Sequence, residues 1–192
     1  MRFARQTRPC HNPTMDENRY PQRKSPRLQD YDYSQDGAYF VTICTHQKRH
    51  LFGKIADGVM MLNRMGNIAA SYWAEIPNHH GNVELDLYVV MPNHVHGIVI
   101  INHEWEGGYK TLGNAGAEYI PPVMKKRPQL STIIATYKAA VTRKIKNSDL
   151  KIWQRSYHDH IIRNESSLNK IREYVLNNPA LWEKDRFYSG VK

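Results

Sequence analysis

The sequence predicts an α+β fold of ferredoxin-like topology, an antiparallel sheet with helices on one face and an added helix near the C-terminus. The first observation is a set of four runs rich in β-branched and aromatic residues, which favour strands. The second is apolar spacing typical of helices in the segments between them. The third is the order strand, helix, strand, strand, helix, strand, which is that of the split βαβ motif. Such a sheet has its second face free to hold a substrate.

Length and charge narrow the class of protein. The chain has 192 residues, enough for one domain with a core and too few for two. Its 27 Lys+Arg against 18 Asp+Glu leave a formal charge of +9, which predicts a polyanionic partner, nucleic acid or an anionic membrane. No apolar run approaches the roughly 20 residues of a membrane helix, and the N-terminus lacks the apolar core of a signal peptide. Nucleic acid is therefore the favoured partner, and two cysteines without a disulfide or zinc spacing indicate a cytoplasmic location.

The first half of the chain begins with a tail and continues into regular elements. Residues 1–30 are rich in Pro and Arg without periodicity, which predicts a basic, flexible arm ahead of a single domain at 31–192. The arm could contact DNA or serve only to keep the protein in solution. Residues 38–45 are aromatic and β-branched and predict the first strand. Residues 60–73 carry apolar side chains at helical spacing and predict an amphipathic helix that ends at Pro77.

A hairpin with two histidines follows. Residues 83–90 predict the second strand, the chain turns at Pro92, and residues 94–101 predict the returning strand. Because side chains alternate across a strand, His94 and His96 point to one face, with Cα atoms about 6–7 Å apart, a spacing that suits two ligands of one metal. Two titratable rings among apolar neighbours cost free energy unless they are used. Two satisfied structural imidazoles are the alternative.

The second half of the chain completes the pattern. Residues 102–128 are rich in glycine and end in a basic run, which predicts a long loop. Residues 130–145 predict the second helix, with its cations on the outside, and residues 152–163 predict a connector running into an edge strand. The last helix begins at Glu165 and is stopped by Pro179. Beyond it, an aromatic tail is expected to pack back on the domain, and Cys44 is expected to be buried in the first strand.

Five motifs, in this order, carry a family resemblance. They are Tyr-Phe-Val-Thr-Ile-Cys-Thr at 39–45, Leu-Phe-Gly at 51–53, Met-Pro-Asn-His-Val-His-Gly at 91–97, Trp-Gln-Arg-Ser-Tyr-His-Asp-His at 153–160 and Tyr-Val-Leu-Asn-Asn-Pro at 174–179. Together they resemble the REP-associated tyrosine transposases, IS200-like relatives within the HUH (His-hydrophobic-His) single-strand DNA nuclease superfamily. Any one motif is weak, whereas five in the correct order are specific.

The resemblance implies a metal-dependent single-strand DNA endonuclease and strand transferase. It implies that Tyr174 is the nucleophile, that His94 and His96 hold a divalent ion, and that Asn178 is a further ligand, although other superfamily members carry glutamine there. Helical geometry supports part of this independently, because Tyr174 and Asn178 are i and i+4 and project from one face. Mixed nitrogen and oxygen ligands suit Mg²⁺ or Mn²⁺ during turnover, while Zn²⁺, Ni²⁺ or Co²⁺ would bind two histidines more tightly.

The chemistry explains why these residue types are needed. A phenol with a pKa near 10 is a poor nucleophile at neutral pH, and attack on a phosphodiester builds negative charge on phosphate oxygens. A metal would polarise the phosphate and stabilise that charge. The 5′-phosphotyrosine product keeps the bond energy, so that a free 3′-OH can reverse the step and join strands.

The same resemblance implies the kind of DNA. The family's usual substrates are short palindromic repeats that fold into imperfect hairpins with a few single-stranded bases beside the stem, bound here by a monomer or a homodimer. Cations could follow the backbone and aromatic rings could stack on unpaired bases. His160 is a possible accessory residue of the active site. The candidate DNA-binding residues are Lys125, Lys126, Arg127, Lys138, Arg143, Gln154 and Arg155.

Two other functions fit parts of the sequence. A ferredoxin-like domain could bind RNA or single-stranded DNA without cutting it, and its histidines would then be structural. A zinc hydrolase could use His94, His96 and His160, but that function leaves Tyr174 and the charge of +9 without a role.

Overall fold

A computed structural model describes residues 32–33, 35–102, 108–111, 117–120, 129–146 and 150–188. No helix within these ranges combines the length and the apolar character needed to cross a bilayer. Two short 3₁₀ turns lie at His46–Lys48 and Trp182–Lys184. The other elements are β1 (Gly37–Cys44), β2 (Gly53–Ala56), β3 (Val59–Leu62), α1 (Arg64–Ala74), α2 (Ile76–His79), β4 (Val83–Met91), β5 (His94–Ile101), β6 (Gly108–Thr111), β7 (Ala117–Ile120), α3 (Leu130–Ile145), β8 (His158–Ile162) and α4 (Glu165–Asn177).

A four-stranded antiparallel sheet in the order β4-β5-β1-β8 forms the centre of the molecule. The four strands predicted from the sequence are the four strands of this sheet, and β8 is at its edge as expected. The predicted helices appear as α1, α3 and α4. The predicted α+β, ferredoxin-like fold is therefore confirmed.

The two faces of the sheet have different neighbours. Gly97 of β5 faces the ring of Trp73 on α1, and α1 packs against α3, where Tyr137 donates a hydrogen bond of 3.1 Å to the carbonyl of Ala69. His94 and His96 alternate with Gly97 and therefore point to the opposite face. On that side α4 contacts β4 and β8. Helices α1 and α3 thus close the core on one face, and α4 lies on the face that carries the histidines.

The segment before α1 corrects one prediction. Residues 60–62 belong to strand β3, which pairs with β2, rather than to the helix. The helix begins only after Asn63, whose Oδ1 accepts a hydrogen bond of 3.0 Å from the backbone N–H of Gly66. Such a cap fixes the start of a helix because it satisfies a backbone donor that has no partner within the helix.

The segment predicted as one long loop also contains regular structure. Strands β6 and β7 pair antiparallel within it, so the prediction of an irregular loop was wrong for these strands. The basic run Lys125, Lys126 and Arg127 lies outside the described residues, as does the predicted N-terminal arm at 1–30. Cys44 is buried in β1, as predicted.

Gly97 shows how closely the helix layer approaches the sheet. A Cβ at this position would lie 2.2 Å from Cζ2 and 2.7 Å from Cε2 of the Trp73 ring, a rigid neighbour that is itself fully buried. We therefore expect Gly97→Ala to lower the free energy of unfolding by about 3 kcal/mol, the upper end of the usual cost of overpacking. Urea unfolding followed by circular dichroism measures this.

Gly81→Ala is the matched control for this substitution. Apart from Gly81 itself and its two chain neighbours, no residue has an atom within 4 Å of the position that a Cβ would occupy there. We expect that variant to unfold within about 0.5 kcal/mol of the unmodified protein. Equal stability of the two variants would show that Trp73 does not pack on Gly97 as described.

Candidate active site

His94 and His96 form a compact pair on the α4 side of β5. Their side chains are 0% and 1% exposed, and their ring centroids are 4.2 Å apart at an interplanar angle of 68°. The ring of Phe40, on the neighbouring strand β1, stacks on His96 at 5.2 Å. The strand alternation that predicted a shared face for the two imidazoles therefore brings the rings into contact.

Neighbouring side chains orient both rings through Nδ1. Oδ1 of Asn93, in the turn between β4 and β5, lies 2.7 Å from Nδ1 of His94. Because this oxygen can only accept, Nδ1 of His94 carries the proton and Nε2 carries a lone pair. The hydroxyl of Thr42 lies 2.8 Å from Nδ1 of His96 and can either accept or donate, so it fits both tautomers of that ring.

Tyr174 of α4 reaches the same point. Its hydroxyl oxygen lies 3.1 Å from Nε2 of His96, and its ring packs edge-on against Phe40 with a centroid distance of 6.0 Å. Tyr174 is 38% exposed, so solvent reaches part of this residue. The phenol near the end of the chain and the imidazole pair in its middle thus converge.

Asp185 completes the cluster, and its part in the site was not predicted from the sequence. Its Oδ2 accepts hydrogen bonds of 2.6 Å from the hydroxyl of Tyr174 and 2.7 Å from Nδ2 of Asn178. Its Oδ1 accepts the backbone N–H of Phe187 at 2.6 Å, and Nε2 of His96 lies 3.9 Å from Oδ2. Asn178 therefore takes its predicted place beside Tyr174, but its amide nitrogen is bound to a carboxylate.

Burial sets the charge of the imidazoles. It lowers the pKa of both rings, and for His94 the charge of His96 lowers the pKa further. Asp185 raises the pKa of His96, but by less than burial lowers it. Both rings are therefore neutral at neutral pH, the state in which imidazole binds a metal.

The pKa of the Asp185 carboxyl and the pKa of the Tyr174 phenol shift in opposite directions. Burial would raise the pKa of Asp185, but the nearby His96 and the hydrogen bonds from Tyr174, Asn178 and the Phe187 N–H lower it below its usual range. Burial raises the pKa of Tyr174, and the hydrogen bond to Asp185 raises it further. In this arrangement Asp185 is an anion and Tyr174 a neutral phenol.

The cluster offers ligands for a cation. One ligand atom from each of His94, His96 and Asp185 lies within 4.8 Å of the others, and all three side chains are buried. Within the described part of the chain, Nε2 of His94 and Oδ1 of Asn178 are buried without a hydrogen-bond partner. Two neutral imidazoles, a carboxylate and a buried amide oxygen fit a divalent ion of intermediate hardness such as Mn²⁺.

The other predicted site residues lie elsewhere. Nζ of Lys138 donates to the backbone oxygens of Gln154, at 2.7 Å, and Arg155, at 3.2 Å, so this lysine fastens the connector to α3. Arg143 is exposed on α3, in the helix layer on the far side of the sheet from the histidines. His160 lies opposite Phe40 on β8, with β1 between it and β5, and the cluster does not include it.

Asp185, which was not predicted as a site residue, lies in the aromatic tail. Trp182 and Phe187 are buried beside His94, with ring centroids 5.9 and 5.0 Å from its ring. Packing of the tail on the domain was predicted, and the presence of two acidic residues, Glu183 and Asp185, between these aromatics was the signal that could have pointed to Asp185. The sequence alone did not indicate where on the domain this tail would dock.

Known proteins share the fold of this chain and part of its sequence. A search against models of protein families finds no match. The chain is similar to a solved structure of a REP-associated tyrosine transposase bound to a REP hairpin, with a TM-score of 0.53, 18% identity and coverage of 80% of this chain and 72% of the other. It is also 40% identical over 168 residues to an uncharacterized protein of Haemophilus influenzae, covering 86% of this chain and 93% of the relative.

The fold is that of the REP-associated tyrosine transposases, which confirms at the level of the fold the resemblance that the five motifs predicted. In sequence, the chain belongs to the same family as the Haemophilus influenzae protein.

Proposed function

We propose that the protein is a metal-dependent single-strand DNA endonuclease and strand transferase that acts through a 5′-phosphotyrosine intermediate. The observation that carries the proposal is the distance of 3.1 Å between the hydroxyl of Tyr174 and Nε2 of His96, which joins a nucleophile to a candidate metal ligand. Neither a structural helix tyrosine nor a purely structural histidine pair requires that contact.

His94, His96 and Asp185 would hold the divalent cation, Mg²⁺ or Mn²⁺, and Oδ1 of Asn178 is the candidate for a fourth ligand. When bound, the cation would supply positive charge beside the phosphate oxygens and the phenol. Asn93 and Thr42 would keep the imidazoles in position through their Nδ1 atoms. Asp185 is thus added to the ligands that the family resemblance implies.

The hydrogen bonds of Tyr174 indicate which groups would react. The oxygen of Tyr174 attacks the phosphorus and loses its proton to Oδ2 of Asp185, which lies 2.6 Å away. The new bond joins phosphorus to the phenolic oxygen, and the bond to the 3′ oxygen breaks. That oxygen takes up the proton that Asp185 received and leaves as a 3′-OH, which restores the carboxylate. Attack by a 3′-OH on the phosphotyrosine reverses the step, restores the phenol and joins two strands.

The DNA is proposed to be a hairpin with a short single-stranded flank. The relative of known structure is bound to a REP hairpin, and the net charge of +9 suits a polyanion. The partial exposure of Tyr174 favours a flexible single strand over a duplex, because a phosphate in a flexible strand can turn toward the phenol.

The test is covalent capture. The protein is incubated with a hairpin oligonucleotide that carries a labelled single-stranded flank, with Mn²⁺, with Mg²⁺ and with a chelator, and resolved on a denaturing gel. We expect a labelled protein band with either metal and no such band with the chelator. Mass spectrometry of the digested band would place the nucleotide on Tyr174.

Two results would overturn the proposal. A protein that binds the hairpin but forms no adduct on a set of hairpins with varied flanks would be a nucleic-acid-binding domain. Cleavage that proceeds without any covalent intermediate would indicate direct hydrolysis by a metal-bound water.

A further inference from the structure

Two cations and one aromatic ring lie together at the edge of the histidine cluster. Nζ of Lys48 lies 5.6 Å from the centroid of the Phe187 ring, and Cζ of Arg186 lies 4.6 Å from the same centroid. Lys48 follows β1 in the 3₁₀ turn, whereas Arg186 directly follows Asp185 in the C-terminal tail. Residues far apart in the sequence thus place two positive charges around one ring.

The shared ring also touches the candidate active site. The centroid of Phe187 lies 5.0 Å from that of His94 and 5.7 Å from that of His96. An anion held by these cations would therefore lie next to the reacting groups.

A buried side chain braces the two cation-bearing segments against each other. Nδ2 of Asn93, which is fully buried, donates hydrogen bonds of 2.9 Å to the carbonyl of Phe187 and 3.3 Å to that of Lys48. The same amide orients His94 through its oxygen. Gln47 and Lys48 have φ angles of +57° and +53°, which L-residues rarely adopt outside functional or tightly constrained turns. The position of this turn is therefore coupled to the active site.

We propose that Lys48 and Arg186 form a phosphate-binding subsite that holds a backbone phosphate of the single-stranded flank beside the scissile phosphate, an inference that rests on the proposed DNA cleavage. The buried ring of Phe187 is the contact that the two cations share. Arg186 can present two parallel N–H donors to one phosphate, and Lys48 adds a point charge. Asp185, the neighbour of Arg186 in the sequence, accepts hydrogen bonds from Tyr174, Asn178 and the Phe187 N–H.

Two further titratable groups near the Phe187 ring lie on β8. His158 on β8 packs its ring 5.8 Å from Phe187, and burial followed by the charges of Arg186 and Lys48 lowers its pKa. Asp159, next to His158, raises that pKa. Lys48 and Arg186 thus supply two positive charges at the Phe187 ring, opposed by the nearby carboxylates of Asp185 and Asp159.

The experiment measures binding without turnover. In the Tyr174→Phe background, the affinity for the hairpin with its single-stranded flank is measured by fluorescence anisotropy between about 50 and 300 mM salt, a range that resolves counterion release. For Lys48→Gln with Arg186→Gln we expect about 10-fold weaker binding and a salt slope that is smaller by about 0.7 or more. Lys54→Gln with Arg64→Gln removes the same charge from β2 and α1 and is the matched control.

A second arm locates the phosphate. A set of oligonucleotides carries one neutral methylphosphonate each, at successive positions of the flank. At one position, the neutral group should weaken binding to the Tyr174→Phe protein. The same group should have no further effect when Lys48→Gln and Arg186→Gln are also present. The proposal fails if the double variant binds as its matched control does, or if no such position exists. Adduct formation by the unmodified protein is scored separately, so a failed subsite and a failed nuclease assignment give different results.

Discussion

Replacing Tyr174 by phenylalanine is expected to abolish the covalent protein–DNA adduct and to lower strand cleavage by about 10⁴-fold or more, as removal of a nucleophile does elsewhere. The substitution keeps the ring that packs edge-on against Phe40 and removes only the hydroxyl that lies between His96 and Asp185. The fold should therefore be retained. The measurement is the amount of labelled protein on a denaturing gel over time, with circular dichroism to confirm folding.

Tyr188→Phe is the matched control for this substitution. Tyr188 lies on the same C-terminal segment as Asp185, is 38% exposed like Tyr174, and packs against Trp182 rather than against the histidines. We expect this variant to form the adduct at the rate of the unmodified protein. An adduct that persists in Tyr174→Phe would mean that another residue is the nucleophile, and loss in both variants would point to a general disturbance of the tail.

The main sheet and its helices could be predicted because each depends on a local pattern. Alternation and β-branched composition mark the strands of the central sheet, and helical spacing marks α1, α3 and α4. The hairpin of β2 and β3 was missed because each strand has only four residues, too few for a clear period. Its turn did carry a signal, since Asp57 and Gly58 have φ angles of +51° and +72°, a conformation that an Asp-Gly pair favours.

The candidate site could be predicted only in part. The strand places His94 and His96 on one face, and the helix places Tyr174 and Asn178 on another, but neither pattern says that the two faces meet. That step came from the family resemblance, and the distance from Tyr174 to His96 now supports it. Asp185 depends on how the chain folds back after Pro179, which is decided by the packing of Trp182 and Phe187 against the histidine rings. Local periodicity carries no information about such packing.

Metal binding should depend strongly on the histidine pair. Isothermal titration calorimetry of the unmodified protein with Mn²⁺ should detect one site, and His96→Gln should weaken it by more than about 100-fold, since a direct ligand is worth more than the 10–100-fold typical of an outer-shell partner. The glutamine side chain fills much of the space of the buried imidazole, so the fold should be retained. Asp185→Asn should weaken binding as well, because it removes the anionic charge while retaining one oxygen.

His79→Gln, at the exposed end of α2, is the matched control and should bind Mn²⁺ as the unmodified protein does. A second readout does not depend on catalysis. A cation that binds only the folded state raises the free energy of unfolding by about 2.7 kcal/mol at 100 times its Kd, so Mn²⁺ should raise the unfolding temperature of the unmodified protein and of His79→Gln. The same shift in His96→Gln would contradict the assignment of this imidazole as a ligand, because a cation bound elsewhere would then be the source of the stabilisation.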